Sequence, residues 1–255
     1  MRQIKLWVAI ALITTVFACQ NNKNTQLVFT TISVTDSIQN YTDDTTLSYV
    51  ININFVETSD RQSGSTPLTN RINSDFFELF DMPFDDSEQT VENTLKSYMV
   101  LEFERFIHDV ADAPTDCAAC RSAEFTLTPK NQYQNNQISS LAYEWWQYSG
   151  GAAHGMYGMN VFNYDKNNET VIDLYNLSTD MNKITAIAES KFIEQNGDLE
   201  NFTFTDGFYL PDTFYFTDDA IIFYYHPYDI ASYADGAITL TLKNSDVKHL
   251  ITYIE

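Results

Sequence analysis

Glycine is scarce in this chain, at 8 of 255 residues; proline is scarcer at 6, and cysteine occurs 3 times. So few cysteines exclude a disulfide-built miniprotein, and so little glycine and proline excludes a collagen-like or linker-like chain. Basic residues are also few, with 14 Lys and Arg against 35 Asp and Glu, a formal net charge of −21. Such a charge repels phosphate backbones, which excludes nucleic-acid binding and favours cationic partners or plain solubility. No apolar run reaches the roughly 20 residues that a membrane-crossing helix requires.

The longest uncharged apolar run stands at the start, where Arg2 and Lys5 precede Leu6 to Ala18. That length suits the apolar part of a secretory leader. Cys19 follows Val16-Phe17-Ala18, where a bacterial lipoprotein leader places its acylated cysteine; an ordinary secreted protein cut near Ala18 is the other reading. Residues 1–18 are expected to be a signal peptide, and 19–26 a solvated tether. Acyl chains, at about 0.8 kcal/mol per buried methylene, would hold Cys19 to a lipid bilayer. Gln20 supplies no retention signal of the aspartate kind. The expected location is therefore the outer membrane of a Gram-negative envelope, facing periplasm or surface. Without Arg2 and Lys5, 12 basic residues remain against 35 acidic ones, a formal −23.

What is present is hydrophobic: 44% of residues, with 15% aromatic, enough for a sizeable core. Leu27 to Val34 and Leu47 to Val56 alternate and are rich in β-branched residues, hence strands. Thr66-Pro67 opens a helix with Leu68, Ile72, Phe76 and Leu79 on its apolar side. Asp86 and Gln89 resemble a capping box for a second, longer helix striped by Val91, Leu95, Tyr98, Met99, Phe106 and Val110, stopped by Pro114. From Ala123 the texture is strand-rich: Phe125–Thr128, Gln137–Tyr148 and Met159–Tyr164 read as antiparallel strands, with a hairpin turn at Asp165–Glu169. Met181, Ile184, Ala188 and Phe192 mark a helix closed by Asn196-Gly197. Strands follow at Thr213–Phe216, Ala220–Tyr225 and Ala237–Leu242, with Asp218-Asp219 as a turn and a short amphipathic piece from Asp246 to Ile254. Elements in blocks give an α+β class, antiparallel sheets with segregated helices in two intimately packed subdomains, 27–130 and 131–255.

Cys117 and Cys120 form one C-x-x-C pair. In an oxidising envelope a structural disulfide is expected; a redox-active pair would sit at a strand–helix junction, and zinc would need two more ligands. No metal and no cofactor is expected.

Half of the scarce glycines (Gly150, Gly151, Gly155 and Gly158) fall in YSGGAAHGMYG, Tyr148 to Gly158. Such a cluster marks positive φ or a close approach to the backbone. Gly150 and Gly155 are spaced as in a P-loop, but Met156 stands where its lysine belongs. A serine hydrolase elbow is absent. His154 reads as a histidine bonding loop carbonyls, with a general base as the sharper alternative. His226 with Asp229 offers two metal ligands at most, and a hydrolase built on His154 or His226 is the enzymatic alternative. Trp145, Trp146, Tyr148 and Tyr157 are candidate anchors for a partner or a sugar ring, alternation burying one tryptophan and exposing the other. Core packing is the plainer role for these and for Tyr224, Tyr225, Tyr228 and Tyr233.

Trp145 to Leu177 resembles the glycine-glycine-alanine-histidine block of a large bacterial envelope domain family of unassigned function. Phe214 to Leu242 is similar to that family's C-terminal signature, a strand pair followed by P-Y-[DE]-I-A-x-Y-A-x-G. Leu47 to Phe77 looks like the partner domain that precedes it. Members include the extracellular part of RsiV, a lysozyme-sensing anti-sigma factor, and the accessory region of the peptidoglycan deacetylase PdaC. This chain departs in having Ala152-Ala153 where the family has one alanine. It also lacks a sigma-binding segment and a deacetylase domain, so neither activity carries over. Together with the leader ending at Cys19 and the lack of a coherent catalytic constellation, the resemblance points to a non-enzymatic binding lipoprotein, with a lysozyme-like protein or peptidoglycan glycan as partner. Its expected binding residues are Trp145, Trp146, Tyr148, Gly150, Gly151, His154, Gly155 and Tyr157.

Overall fold

The structure is a computed structural model, and it describes residues 27–42, 45–60, 67–78, 90–110, 117 and 119–254. The leader, Cys19 and the tether lie outside the described residues, as do Leu79, Asp86, Gln89 and Pro114. Among the described residues, four helices and nine strands in two sheets make an α+β architecture. By its internal contacts the chain divides into two units, 1–128 with 145–156, and 129–144 with 157–255. The glycine loop therefore counts with the first unit, whereas order along the chain places it in the C-terminal subdomain.

The first unit starts with β1 (Leu27–Thr42) and β2 (Thr45–Asp60), an antiparallel pair in unbroken register. Both run well past the alternating segments that announce them. One face of β2 buries Tyr49, Ile51, Ile53 and Phe55. α1 (Pro67–Glu78) sets Phe76 and Phe77 on Phe55, with ring centroids at 4.4 and 5.2 Å. α2 (Val91–Asp109) sets Phe103 and Phe106 on Tyr49 at 5.5 and 5.0 Å. Its cap is Thr90, whose hydroxyl accepts from the Asn93 amide. Phe103 joins the apolar stripe between Met99 and Phe106, which the sequence pattern passes over. β3 (Ser122–Gln134) then pairs parallel to β2, the exception in an otherwise antiparallel expectation. A parallel neighbour needs a crossover of a dozen or more residues, and the segment holding α1 and α2 is that crossover.

The second unit takes the far half of β3, most of β4 (Ile138–Tyr148) and β5 (Met156–Asp165), and two-residue β6 (Thr170–Val171). Asp165 shapes the turn after β5 by accepting from the amides of Asn167 and Asn168. A three-stranded antiparallel sheet follows: β7 (Phe214–Phe216), β8 (Ala220–Tyr225) and β9 (Ile238–Lys243). α3 (Met181–Asn196) buries Ile184, Ala188 and Phe192 against this sheet's core of Phe214, Ile221, Phe223, Tyr225, Leu240 and Leu242. It stops at Gly197, whose φ of +94° continues no helix. The final amphipathic piece is only a single helical turn, α4 (Asn244–Val247), anchored by buried Val247 and Ile251.

Neither edge of the small sheet meets another strand of it. Side chains cover both. Asn131 and Asn163 donate to the carbonyls of Phe216 and Phe214 at 2.8 and 2.6 Å, and Ser140 accepts from the Phe216 amide at 3.0 Å. On the β9 side, Gln195 closes a two-bond amide clasp on Thr241, at 2.8 and 2.9 Å. An edge strand otherwise presents a row of open backbone groups to foreign chains.

Candidate functional site

In the first unit the glycine loop and the C-x-x-C pair explain each other. Cys117 and Cys120 are joined by a disulfide, with Cα atoms 5.3 Å apart. A short 3-10 turn, Ala119–Arg121, follows directly. Gly150 lies on that backbone so closely that an added Cβ would sit 2.6 Å from the Cys120 carbonyl carbon and oxygen and 2.7 Å from the Ala119 oxygen. Gly151, at φ +80°, donates its amide to the Ala119 carbonyl at 3.2 Å. A Cβ there would meet the Cys120 sulfur at 3.2 Å. Backbone proximity, rather than phosphate cradling, is what these two glycines serve.

Gly155 has a different neighbour. An added Cβ would lie 2.3 Å from the Trp146 ring, so the indole lies flat against a backbone that only glycine leaves bare. His154 is exposed and donates Nδ1–H to the Gly155 carbonyl at 2.9 Å, bonding a loop carbonyl. Trp145 and Trp146 are both half-buried, which overturns the expectation of one buried and one exposed. The alternation rule assumes one covered and one open sheet face, and here both faces of β4's end are partly covered. Tyr148 is half-buried as well.

Tyr157 counts with the second unit, whereas the other candidates count with the first. Its ring meets Tyr233 edge-on at 5.8 Å, and Tyr233 meets Tyr228 at 5.7 Å. A Cβ on Gly236, at φ +78°, would stand 3.1 Å from the Tyr157 hydroxyl. The segment carrying Tyr228 and Tyr233 is held by reciprocal polar turns. The His226 amide donates to the Asp229 carboxylate at 2.7 Å, and the Asp229 amide donates to the His226 carbonyl at 3.0 Å. Ser232 donates through its hydroxyl and its amide to the Asp235 carboxylate at 2.6 and 3.1 Å. These turns force Tyr228 to φ +75°, a conformation costly for a residue with a Cβ, and leave it 57% exposed.

Beneath this tyrosine face lies a small second core of Ala142, Met159 and Tyr224, flanked by Val161, Tyr215 and Ala237. Burial, reinforced by Tyr157, Glu144 and Asp229, pushes the Tyr224 hydroxyl up to about 12. Glu144 pairs with Lys130 at 2.8 Å. His226 stacks edge-on against Tyr224 at 5.1 Å, and its Nε2 lies 3.2 Å from the Thr213 hydroxyl. Burial holds its imidazole below the ordinary value, partly offset by Asp229. Asp229 bonds the His226 backbone, so the two do not form a ring-to-carboxylate relay. Among the described residues, no three His, Cys, Asp or Glu side chains gather as a metal site. Sequence reasoning named Tyr157 as a binding residue but missed the row that it forms with Tyr233 and Tyr228. Its signal was Asp235-Gly236 closing a segment rich in Tyr and Asp.

Residues 161–245 match the model of a domain family described as protein of unknown function, DUF3298. The fold is similar to that of a DUF3298 family member from Bacteroides fragilis, at a TM-score of 0.73 and 21% identity over 90% of this chain and 95% of that one. It is also similar to a DUF3298 family protein from Pseudomonas aeruginosa, at 0.57 and 15% identity over 89% and 95%. No curated protein matches the chain.

Proposed function

We propose that this chain is a non-enzymatic, lipid-anchored envelope protein that binds a basic protein partner of the lysozyme type. The observation that carries the reading is the tyrosine row Tyr157, Tyr233 and Tyr228, presented by a stiff turn next to Asp229 and Asp235. Aromatic faces beside carboxylates suit lysine and arginine side chains, which gain from both. Without the leader, the formal charge of −23 attracts such a partner from a distance, although salt screens that field within about 8 Å. The rings then supply the short-range hold. A non-enzymatic role accords with how His154, His226 and Asp229 are engaged, each in bonds that shape a loop. Cys19 would tie the domain to the bilayer, on the expectation drawn from its leader.

Binding of lysozyme to the purified protein, measured at low salt and at about 0.5 M, tests the reading. It should persist at the higher salt with a slower on-rate. Tyr157→Ala should mainly raise the off-rate. Tyr228→Asn should weaken binding with the melting temperature kept, because asparagine tolerates positive φ. Binding that vanishes at high salt would be charge attraction alone. No binding at any salt, with retention on purified peptidoglycan, would transfer the face to a glycan. For the anchor, radioactive fatty acid should label the wild type and not Cys19→Ala.

A further inference from the structure

We propose that the Cys117–Cys120 disulfide is a redox clasp for the glycine loop: closed, it fixes the backbone on which Gly150 and Gly151 dock, and reduction lets the loop go. The inference is independent of which partner the domain takes.

Three contacts carry it. Gly150 packs onto the carbonyls of Ala119 and Cys120 at distances that admit no side chain. The Gly151 amide bonds to the Ala119 carbonyl at 3.2 Å, and the space for its missing side chain ends on the Cys120 sulfur itself. The Cys120 amide in turn points at the Cys117 sulfur, 3.2 Å away, so the clasp braces its own backbone. The docking surface is thus the ring closed by the disulfide. Closing the ring from Cys117 to Cys120 confines the Ala119 carbonyl within it and fixes the Cys120 Cα from which the next carbonyl departs. Opening it returns to them the freedom of an ordinary loop end.

The chemistry is thiol–disulfide exchange with a dithiol. One thiolate of the reductant attacks a sulfur of the pair, and the mixed disulfide resolves as the second reductant thiol attacks. Two electrons and two protons pass to the pair, leaving two thiols on the protein and a disulfide on the reductant. Both cysteines are only partly buried, so the bond is open to attack. An oxidising envelope keeps the clasp closed by default. The far end of the loop reports on its state, because Gly155 lies against the Trp146 indole.

The test uses the folded full-length chain treated with dithiothreitol, with thiols counted and amide exchange followed residue by residue. Two additional thiols should appear, Gly151 exchange should accelerate at least about tenfold, and Trp146 emission should shift. The Tyr224 amide, which donates to the Thr213 carbonyl at 2.9 Å in the other unit, should keep its exchange rate. Gly150→Ala should free the loop with the disulfide intact. Should that variant not fold, the reduction experiment decides alone. Unchanged Gly151 exchange after both thiols appear would overturn the proposal. So would a bond that resists reduction in the folded chain, or equal acceleration at Tyr224, which would signal general unfolding.

Discussion

A single methyl group separates Gly155 from alanine, and the Trp146 ring occupies the space that methyl needs. Gly155→Ala must push an indole and its strand apart, an overpacking that costs about 1–3 kcal/mol. In a Trp146→Leu background the same change should cost much less, because the obstructing ring is gone. Denaturant unfolding of the four proteins of this cycle measures the coupling; additive costs would mean that the ring does not set the restriction. Gly207 makes a useful contrast, since a Cβ there meets nothing within 4 Å and only its φ of +91° disfavours a side chain. Both are glycines in the sequence, yet one is required by a neighbour and the other by its own backbone. The clustering near residue 150 was visible in advance. The identity of the neighbours, Cys120 and Trp146, was not, because both contacts join segments that no local pattern connects.

Asn163 sits fully enclosed on β5, accepting from the Ser140 hydroxyl and donating to the Phe214 carbonyl, both at 2.6 Å. It does for β7 what another strand would do. Asn163→Leu fills the volume but takes away the acceptor of the Ser140 hydroxyl proton and the amide donor to the Phe214 carbonyl, both in the interior, at a cost of about 2–4 kcal/mol. The unfolding free energy should fall by that amount, read as a lower denaturation midpoint with an unchanged slope, whereas a loss within about 0.5 kcal/mol would mean that Asn163 does not buttress the strand. Helices and strands around this network follow from periodicity. Asn163 itself alternates as an ordinary polar position would, and its inward direction depends on a sheet formed 51 residues later.

Across the molecule, acid stability should carry the mark of one imidazole. His226 is held below its ordinary value by burial, with Asp229 opposing in part, so the folded chain keeps it neutral while the unfolded chain protonates it more readily. The unfolded state then takes up the extra proton as pH falls through about 6.5. This contribution is complete above that pH and is lost on acidification below it. Thr213, Tyr224 and Asp229 are the groups around the ring. Unfolding free energy measured from pH 7.5 down to 5 should decline, and His226→Gln should decline less steeply. Equal slopes would mean that burial of this imidazole does not count. At the alkaline end, Tyr49 and Tyr224 should ionise near 12, later than the exposed tyrosines in an absorbance titration.

Composition and periodicity by themselves determined the α+β class, the helices around residues 67–78, 91–109 and 181–196, and most strands of the second half. Those features depend on which side chains recur at spacings of two or of three to four along one stretch of chain, and that is written locally. The lone C-x-x-C pair was legible as a disulfide, and the glycine cluster as a tight loop without an assigned role. Tertiary structure decided the rest. It made β3 a parallel neighbour of β2, gave each side of the small sheet a covering of amide side chains, and set the glycines on the disulfide. It also assembled Tyr157, Tyr228 and Tyr233 from segments more than 70 residues apart into one face. Contacts at that separation arise when buried surfaces meet across the fold, and a linear pattern carries no record of which surfaces those are.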